Sequence, residues 1–267
     1  MRIGQNIAVV VPAFNEAKLL VKTLRGLPDW IDTVVVIDDG STDKTAAEAQ
    51  SWGAGDSRLV LIRHPRQLGV GAAIRSGYLW CREHSIDAAV VMAGDGQMNP
   101  DDLPAMLDPI LQGEADYTKG NRFTHPDCQN RMPAARYRGT WVLSWFTRAL
   151  TGYWHIFDSQ SGFTVVNHRG LHTLPLEGIY SGYGVPNDLL VTMSLYGMRV
   201  MDVPIEPIYG IGERSKMKLP LVTLSLSVLL VRLSFRRLAH LLRRATSRGH
   251  SENQVGSGPT LQDSSPS

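Results

Sequence analysis

The chain has 267 residues, 43% of them hydrophobic and 19% charged, with a formal net charge of +2. This composition excludes extensive disorder away from the ends, and the length suffices for one large α/β domain with appendages. The only cysteines, Cys81 and Cys128, exclude a disulfide framework and lack zinc-ligand spacing, which points to a reducing, cytoplasmic compartment.

Met1 to Asn6 is polar and leads straight into a strand, so no secretory signal is expected ahead of the fold. Strands are expected at Ile7 to Val11, Val34 to Ile37, Leu59 to Ile62 and Ala88 to Met92. Amphipathic helices are expected between them, at Glu16 to Gly26, Lys44 to Trp52 and Gly71 to His84. Ser41 or Thr42 is placed to cap the second helix, ahead of Asp43, whose charge suits the positive helix end. Past Pro100 a further helix runs to Gln112, followed by a short strand from Ala115 to Thr118. The pattern then loosens into a basic, aromatic segment from Arg122 to Tyr153, a strand at Phe163 to Val166, a helix at Asn187 to Tyr196 and a strand from Arg199 to Pro204. Such alternation predicts a mostly parallel sheet with helices on its faces.

The carboxyl-terminal part reads differently. From Leu219 to Leu242 runs an apolar helix candidate. Its apolar core, Pro220 to Val231, is shorter than the roughly 20 residues needed to span a bilayer. Arg232, Arg236, Arg237, Arg243 and Arg244 follow, so residues 219–246 are expected to lie in a membrane interface, with packing on the domain or a dimer contact as the alternatives. Residues 247–267, rich in Ser, Gly, Gln and Pro, are expected to be disordered.

Three acidic motifs each follow an apolar, β-branched run: PAFNEA, IDDGSTD and AGDGQMNPDDL. Acids at the carboxyl ends of parallel strands converge on the crevice where open α/β sheets bind ligands. After the first strand, Phe14 offers a face to a base and Glu16 an acceptor. Asp38 and Asp39 are adjacent acids at a buried strand end, which requires donors or a counter-charge. GVGAAI lacks the third glycine of a dinucleotide loop, so a nicotinamide cofactor is not expected.

These motifs, together with HPRQLGVGAAIRSGY (His64 to Tyr78), resemble the inverting family 2 glycosyltransferases, and within them the polyprenol-phosphate (dolichol-phosphate) sugar synthases. The resemblance covers residues 6–218 and implies a single catalytic domain of the type A glycosyltransferase fold, a Rossmann-like, mostly parallel sheet flanked by helices. It implies a nucleotide pocket from Pro12, Phe14, Asn15, Glu16, Asp38, Asp39, Gly71, Gly94 and Asp95. Asp95 and Gln97 are implied as ligands of Mg or Mn, although Ala93 stands where the family usually carries the first acid of Asp-x-Asp. Gln160 and Ser161 of DSQSGF, with Arg136 and Arg138, are implied on the acceptor and sugar side. Arg122, Arg214 and Lys216 are implied as cations for phosphates.

The reaction implied is transfer of a hexose from a GDP- or UDP-sugar to a polyprenyl phosphate at the cytoplasmic face of a membrane. A nucleic-acid partner is not expected, and a homo-oligomer is left open. A phosphate acceptor is already anionic and needs cations, whereas a hydroxyl acceptor needs a base, for which Asp188 in VPNDLL is the candidate. A soluble transferase using that base, and a nucleotide-sugar binder weakened by Ala93, are the alternatives.

Overall fold

The computed structural model describes residues 4–209 and 229–239. In chain order the elements are β1 (Ile7–Ala13), α1 (Leu20–Arg25), β2 (Thr33–Asp38), α2 (Thr45–Gly53), β3 (Leu59–Arg63), α3 (Val70–Glu83), β4 (Ala88–Val91) and α4 (Leu103–Leu111). There follow β5 (Tyr117–Asn121), α5 (Cys128–Arg131), α6 (Ala134–Thr151), β6 (Thr164–Asn167), α7 (His168–Thr173), α8 (Val185–Leu195) and β7 (Val200–Pro204). Residues 229–239 form a last helix, α9.

The strands make one sheet in the order β3-β2-β1-β4-β6-β5-β7. Only β6 runs against its neighbours, β4 and β5. Alternation along the strands feeds two cores. Ala8, Val10, Val35, Ile37, Ala89 and Val91 face the layer containing α3, α7 and α8. Val9, Val11, Val34, Val36, Ala88 and Val90 face the layer containing α1 and α4. Strands buried on both faces read as continuous apolar runs, which is why their positions were legible in advance. Helix α3 lies close on β1 because residue 77 is glycine: a Cβ there would stand 2.2 Å from Val10 Cγ1.

From β1 the chain moves outward to β2 and β3, then crosses back to β4 on the other side of β1. The carboxyl ends of β1 and β4 therefore flank a topological switch point, where a crevice opens. Because β5 and β7 run parallel to β4, their carboxyl ends and the residues entering β6 reach this same edge. All the motif loops converge there.

Two local expectations are corrected. The first helix starts at Leu20 rather than Glu16, since Asn15 takes a positive φ of 52° and the N–H groups of Glu16 and Ala17 donate to Thr45 Oγ1 and Asp43 Oδ2. Asn is among the few side chains that tolerate this region. Neither Ser41 nor Thr42 caps α2, which begins at Thr45; Ser41 Oγ instead accepts from the Asn15 N–H at 2.9 Å.

The basic, aromatic segment contains an 18-residue helix, α6, that packs against α8. Of the expected interfacial helix 219–246, α9 is described and helical, with Leu229 and Leu233 against Val191; its remaining residues and the tail 247–267 lie outside the described residues. Among the described residues no helix is long and apolar enough to cross a membrane.

Candidate active site

At the switch point the loops after β1 and β2 are laced together. Asn15 Oδ1 accepts from the Thr42 N–H at 2.9 Å and the Asp43 N–H at 3.3 Å, while Pro12 is buried in the strand below. Phe14, Asn15 and Glu16 sit half-buried above it. The adjacent acids are both satisfied by the chain itself. Asp38 accepts from the Ser41 N–H (3.0 Å) and Arg63 Nε (3.1 Å). Asp39 accepts from the N–H groups of Leu68 (2.9 Å) and Gly69 (2.8 Å) and lies 2.7 Å from His64 Nδ1. The other imidazole nitrogen of His64 lies 2.9 Å from Ser76 Oγ, which anchors the clamp to α3. Two buried carboxylates thus order the rim of the crevice, as donors at that distance must if the charges are to stay buried.

The space at Gly71, expected for a nucleotide, is filled by the chain itself. The Ser181 carbonyl accepts from the Gly71 N–H at 2.8 Å, and a Cβ at Gly71 would stand 1.9 Å from the Tyr180 carbonyl oxygen. Gly71→Ala is therefore expected to destabilise the fold by roughly 1–3 kcal/mol, the usual cost of overpacking, and to lower the urea midpoint accordingly. An unchanged midpoint would remove this account of the glycine.

Asp95 stands in the loop leaving β4, half-buried, with Oδ1 accepting from the Gln97 N–H at 3.1 Å. Gly94 is buried beneath it, 3.0 Å from Leu20 Cδ1 by its notional Cβ. The outgoing chain is tied to the end of β7: Glu206 accepts from Asn99 Nδ2 (3.3 Å) and Arg131 Nη1 (2.9 Å), and its N–H donates to Asp102 Oδ2 (3.0 Å). Among the described residues no three His, Cys, Asp or Glu side chains group as a metal site. Asp39 has both oxygens engaged by the 64–69 loop. One carboxylate, Asp95, and the amide oxygen of Gln97 are the donors this loop would give a hard ion, which fits one that takes its other ligands from phosphate and water.

On the far side, the ends of β5, β6 and β7 enclose a charged cluster. Arg122 grips Asp158 with two nitrogens, Nε at 2.7 Å and Nη2 at 3.0 Å, and its Nη1 donates to Tyr209 Oη at 3.2 Å. Asp158 also accepts from the N–H groups of Gln160 and Ser161, so DSQSGF forms a capped turn. Lys119, fully buried in β5, donates to the Ser161 carbonyl. Asp202 accepts from the Phe157 N–H (2.7 Å) and Asn121 Nδ2 (2.9 Å).

Burial works to raise the Asp158 carboxyl, but the charges of Arg122 and Lys119 overcome it and hold it below the usual range. Burial pulls the Lys119 ammonium down to about 8, against the opposing pull of Asp158 and Asp202. The same cause pushes Asp202 up to about 6, offset in part by the Phe157 N–H. For Lys119 the unfolded chain, titrating near 10.5, binds more protons than the native one between about pH 8 and 10.5, so this group's contribution to stability rises with pH across that window. Urea midpoints at both ends of the window, for wild type and Lys119→Met, check this; an equal rise in the variant would refute it.

Several expectations change here. Arg122 is the ion-pair partner of the buried Asp158 rather than an open cation. Asp188 is not an open base: it is buried, Oδ2 accepts from the Tyr180 N–H at 2.9 Å, and Oδ1 accepts from Arg236 Nη1 at 3.2 Å. Gln160 donates its amide to Ser159 Oγ and Asn187 Oδ1, and Ser161 is buried, so both build the turn that faces α6 and α8. Arg136 lies over the Tyr209 ring at 5.4 Å, and Arg138 is exposed on α6. Arg214 and Lys216 lie outside the described residues. A cavity of about 310 Å³ opens beside this cluster, lined by Asn121, Phe123, Tyr137, Trp141, Arg148 and Phe157 among others. Lys119, Asp158 and Asp202 were missed as site residues; the one visible signal was Asp202 inside the strand expected from Arg199 to Pro204.

Comparison with known proteins gives a consistent picture. Residues 8–174 match the family model described as Glycosyl transferase family 2. The chain is 29% identical over 216 residues to a UDP-N-acetylglucosamine–dolichyl-phosphate N-acetylglucosaminyltransferase of Methanococcus voltae, covering 76% of this chain and 86% of that one. It is 29% identical over 202 residues to an undecaprenyl-phosphate mannosyltransferase of Micrococcus luteus, covering 74% and 82%. Among solved structures, glucosyl-3-phosphoglycerate synthase of Mycobacterium tuberculosis, in complex with Mn2+, UDP and phosphoglyceric acid, superposes with a TM-score of 0.65 at 22% identity, covering 88% of this chain and 78% of that one.

Proposed function

The chain belongs to glycosyl transferase family 2, with the type A glycosyltransferase fold, and from that premise we propose that it transfers a hexose, with inversion, from a nucleoside-diphosphate sugar to a polyprenyl phosphate. The observation that carries the acceptor class is the closure of Asp188. A hydroxyl acceptor requires a base within reach of its proton, and the carboxylate foreseen for that task is buried and paired with Arg236. A phosphate monoester carries no proton that must leave. The names of the relatives in Methanococcus voltae and Micrococcus luteus support the same class.

In the reaction so read, an acceptor phosphate oxygen attacks the anomeric carbon from the face opposite the leaving group. A new carbon–oxygen bond forms as the bond to the diphosphate breaks, and the electron pair departs on the diphosphate oxygen. Phe14, Asn15 and Glu16 hold the nucleoside end, while the clamp through Asp39 and His64 keeps the crevice rim in place. Asp95 and Gln97 are the residues that would hold Mg or Mn, and such an ion, when bound, supplies neutralisation of the charge leaving on the diphosphate. Arg136 and Arg138 on α6, with Arg214 and Lys216, are the cations proposed for the acceptor phosphate. A membrane-resident acceptor sets the enzyme at a membrane surface, on the cytoplasmic side where nucleotide sugars are at hand.

Incorporation of label from a panel of GDP- and UDP-hexoses into organic-extractable lipid, with Mg or Mn and an EDTA control, tests the reading. Lipid-phase label abolished by EDTA is the expected result. Metal-dependent release of nucleoside diphosphate without a lipid product would transfer the reading to a hydroxyl acceptor. Ala93→Asp is expected to lower the Mg concentration for half-maximal activity by roughly tenfold, since a second carboxylate joins a site that now has one. No change in that concentration would show that position 93 faces away from the ion.

A further inference from the structure

Helix α6 is amphipathic in the reverse sense. Its inward face is built from Thr140, Ser144, Thr147 and Thr151, all buried, with Ser144 Oγ bonded to Ser159 and Thr147 Oγ1 accepting from Asn187 Nδ2. Its outward face carries Trp141 (54% exposed), Val142 (49%), Trp145 (48%) and Phe146 (47%). Residues 138, 141, 142 and 145 recur at helical spacing, so Arg138 shares this face. Thr147 and Thr151 donate to carbonyls one turn back in the helix and Ser144 bonds to Ser159 of the neighbouring turn, which leaves the apolar side chains to the outside. Soluble monomers seldom leave a contiguous apolar patch of this kind uncovered.

The patch has a continuation and a charge. Trp154 and Phe157 are exposed just beyond α6. Helix α9 buries Leu229 and Leu233 and exposes Val231, Phe235 and Leu238, with Arg232 exposed between them. From Cys128 to Phe157 the chain has four arginines and no Asp or Glu, and residues 229–239 add three arginines, again without an acid; of these Arg131 is paired with Glu206 and Arg236 with Asp188. A second copy of the chain seated on this face would bring like charges together, because a two-fold contact pairs a patch with itself. An anionic lipid surface complements both features, since Trp prefers the headgroup level and Arg pairs with lipid phosphate.

From this we infer that the outward face of α6 docks the protein on an anionic bilayer surface, seating Trp145 and Phe146 at the headgroup level. The inference deepens the reading of a lipid-borne acceptor by naming the face that meets the lipid. The cavity edged by Trp141 opens from the same helix, so docking brings its mouth to the membrane.

Co-sedimentation of the full chain with phosphatidylcholine vesicles, with and without phosphatidylglycerol, tests the inference in the absence of any substrate. Wild type is expected to bind the anionic vesicles in a salt-sensitive manner, and Trp145→Ser/Phe146→Ser to bind at least roughly tenfold more weakly with its melting temperature preserved. Equal binding by the double variant would overturn the inference, as would a wild-type dimer in analytical ultracentrifugation that the variant converts to monomer. Transfer to a short, water-soluble polyprenyl phosphate separates the two readings. If wild type and variant both fail at transfer while vesicle binding still depends on Trp145 and Phe146, the acceptor reading falls and the docking face stands.

Discussion

Asp95→Ala is expected to lower kcat/KM for sugar transfer by roughly a thousandfold, the scale on which loss of one group stabilising transition-state charge is felt. The reason lies in the donor set. Ala93 withholds the first acid that the resemblance calls for, and both oxygens of Asp39 are engaged by the 64–69 loop. Under the proposed function, Asp95 is then the carboxylate of the loop after β4 that would hold the divalent ion. Asp95→Asn discriminates between charge and shape, because an amide oxygen can still accept from the Gln97 N–H as Oδ1 does now. If Asn loses nearly as much as Ala, the charge is what matters. Retention of activity in the Asn variant would reduce Asp95 to a turn former and sink the proposed role. Steady-state kinetics against Mg concentration, with circular dichroism to confirm the fold, makes the measurement.

The largest expected effect on stability comes from Asp158→Ala. Its carboxylate is fully buried, accepts two bonds from the Arg122 guanidinium, and lies in the field of Lys119. Removing it leaves Arg122 without its ion-pair partner and Lys119 with Asp202 as its remaining nearby carboxylate, and frees the N–H groups of Gln160 and Ser161. Breaking a buried pair in this way costs about 3–5 kcal/mol, which for a domain of this size lowers Tm by roughly 6–20 °C. A companion variant tests the cause. Asp158→Leu with Arg122→Met and Lys119→Met removes these three charges, leaving Asp202 with its bonds from the Phe157 N–H and Asn121 Nδ2, and is expected to recover much of the loss, since apolar replacement of buried ion partners together is often close to neutral. A Tm for Asp158→Ala close to wild type would contradict the electrostatic account.

Much of the fold was legible beforehand. The continuous apolar runs of β1, β2 and β4, the Gly and Asp punctuation after them, and the amphipathic period of α3 are local signals that report local structure. The candidate site was legible in outline for the same reason, because Phe14 to Glu16, Asp38, Asp39 and Asp95 each follow a strand end, and strand ends in a parallel sheet share an edge. The start of α1 was misplaced by four residues because acceptors at 43 and 45 take the N–H groups of Glu16 and Ala17, a contact between loops that no period reveals. Lys119 and Asp202 drew no notice as site residues because a charge inside a strand acquires meaning only from the partners that bury it.

The sequence by itself determined the layering of this protein, the strand ends that carry its chemistry and the family to which those motifs belong, since these depend on spacing along one chain. Tertiary structure alone decided which carboxylates are committed and which side of α6 faces out. Asp39 was expected at the nucleotide, Asp188 was a candidate base and Asp158 drew no notice, yet each is claimed by donors from distant segments, the 64–69 loop, Arg236 and Arg122 respectively. On α6 the period announces two faces without saying which is inside. The choice fell to the hydroxyls of Ser144 and Thr147, which bond to Ser159 and Asn187 and so turn the tryptophans outward. Periodicity is a property of one segment, whereas satisfaction of buried polar groups is a property of what folds against it.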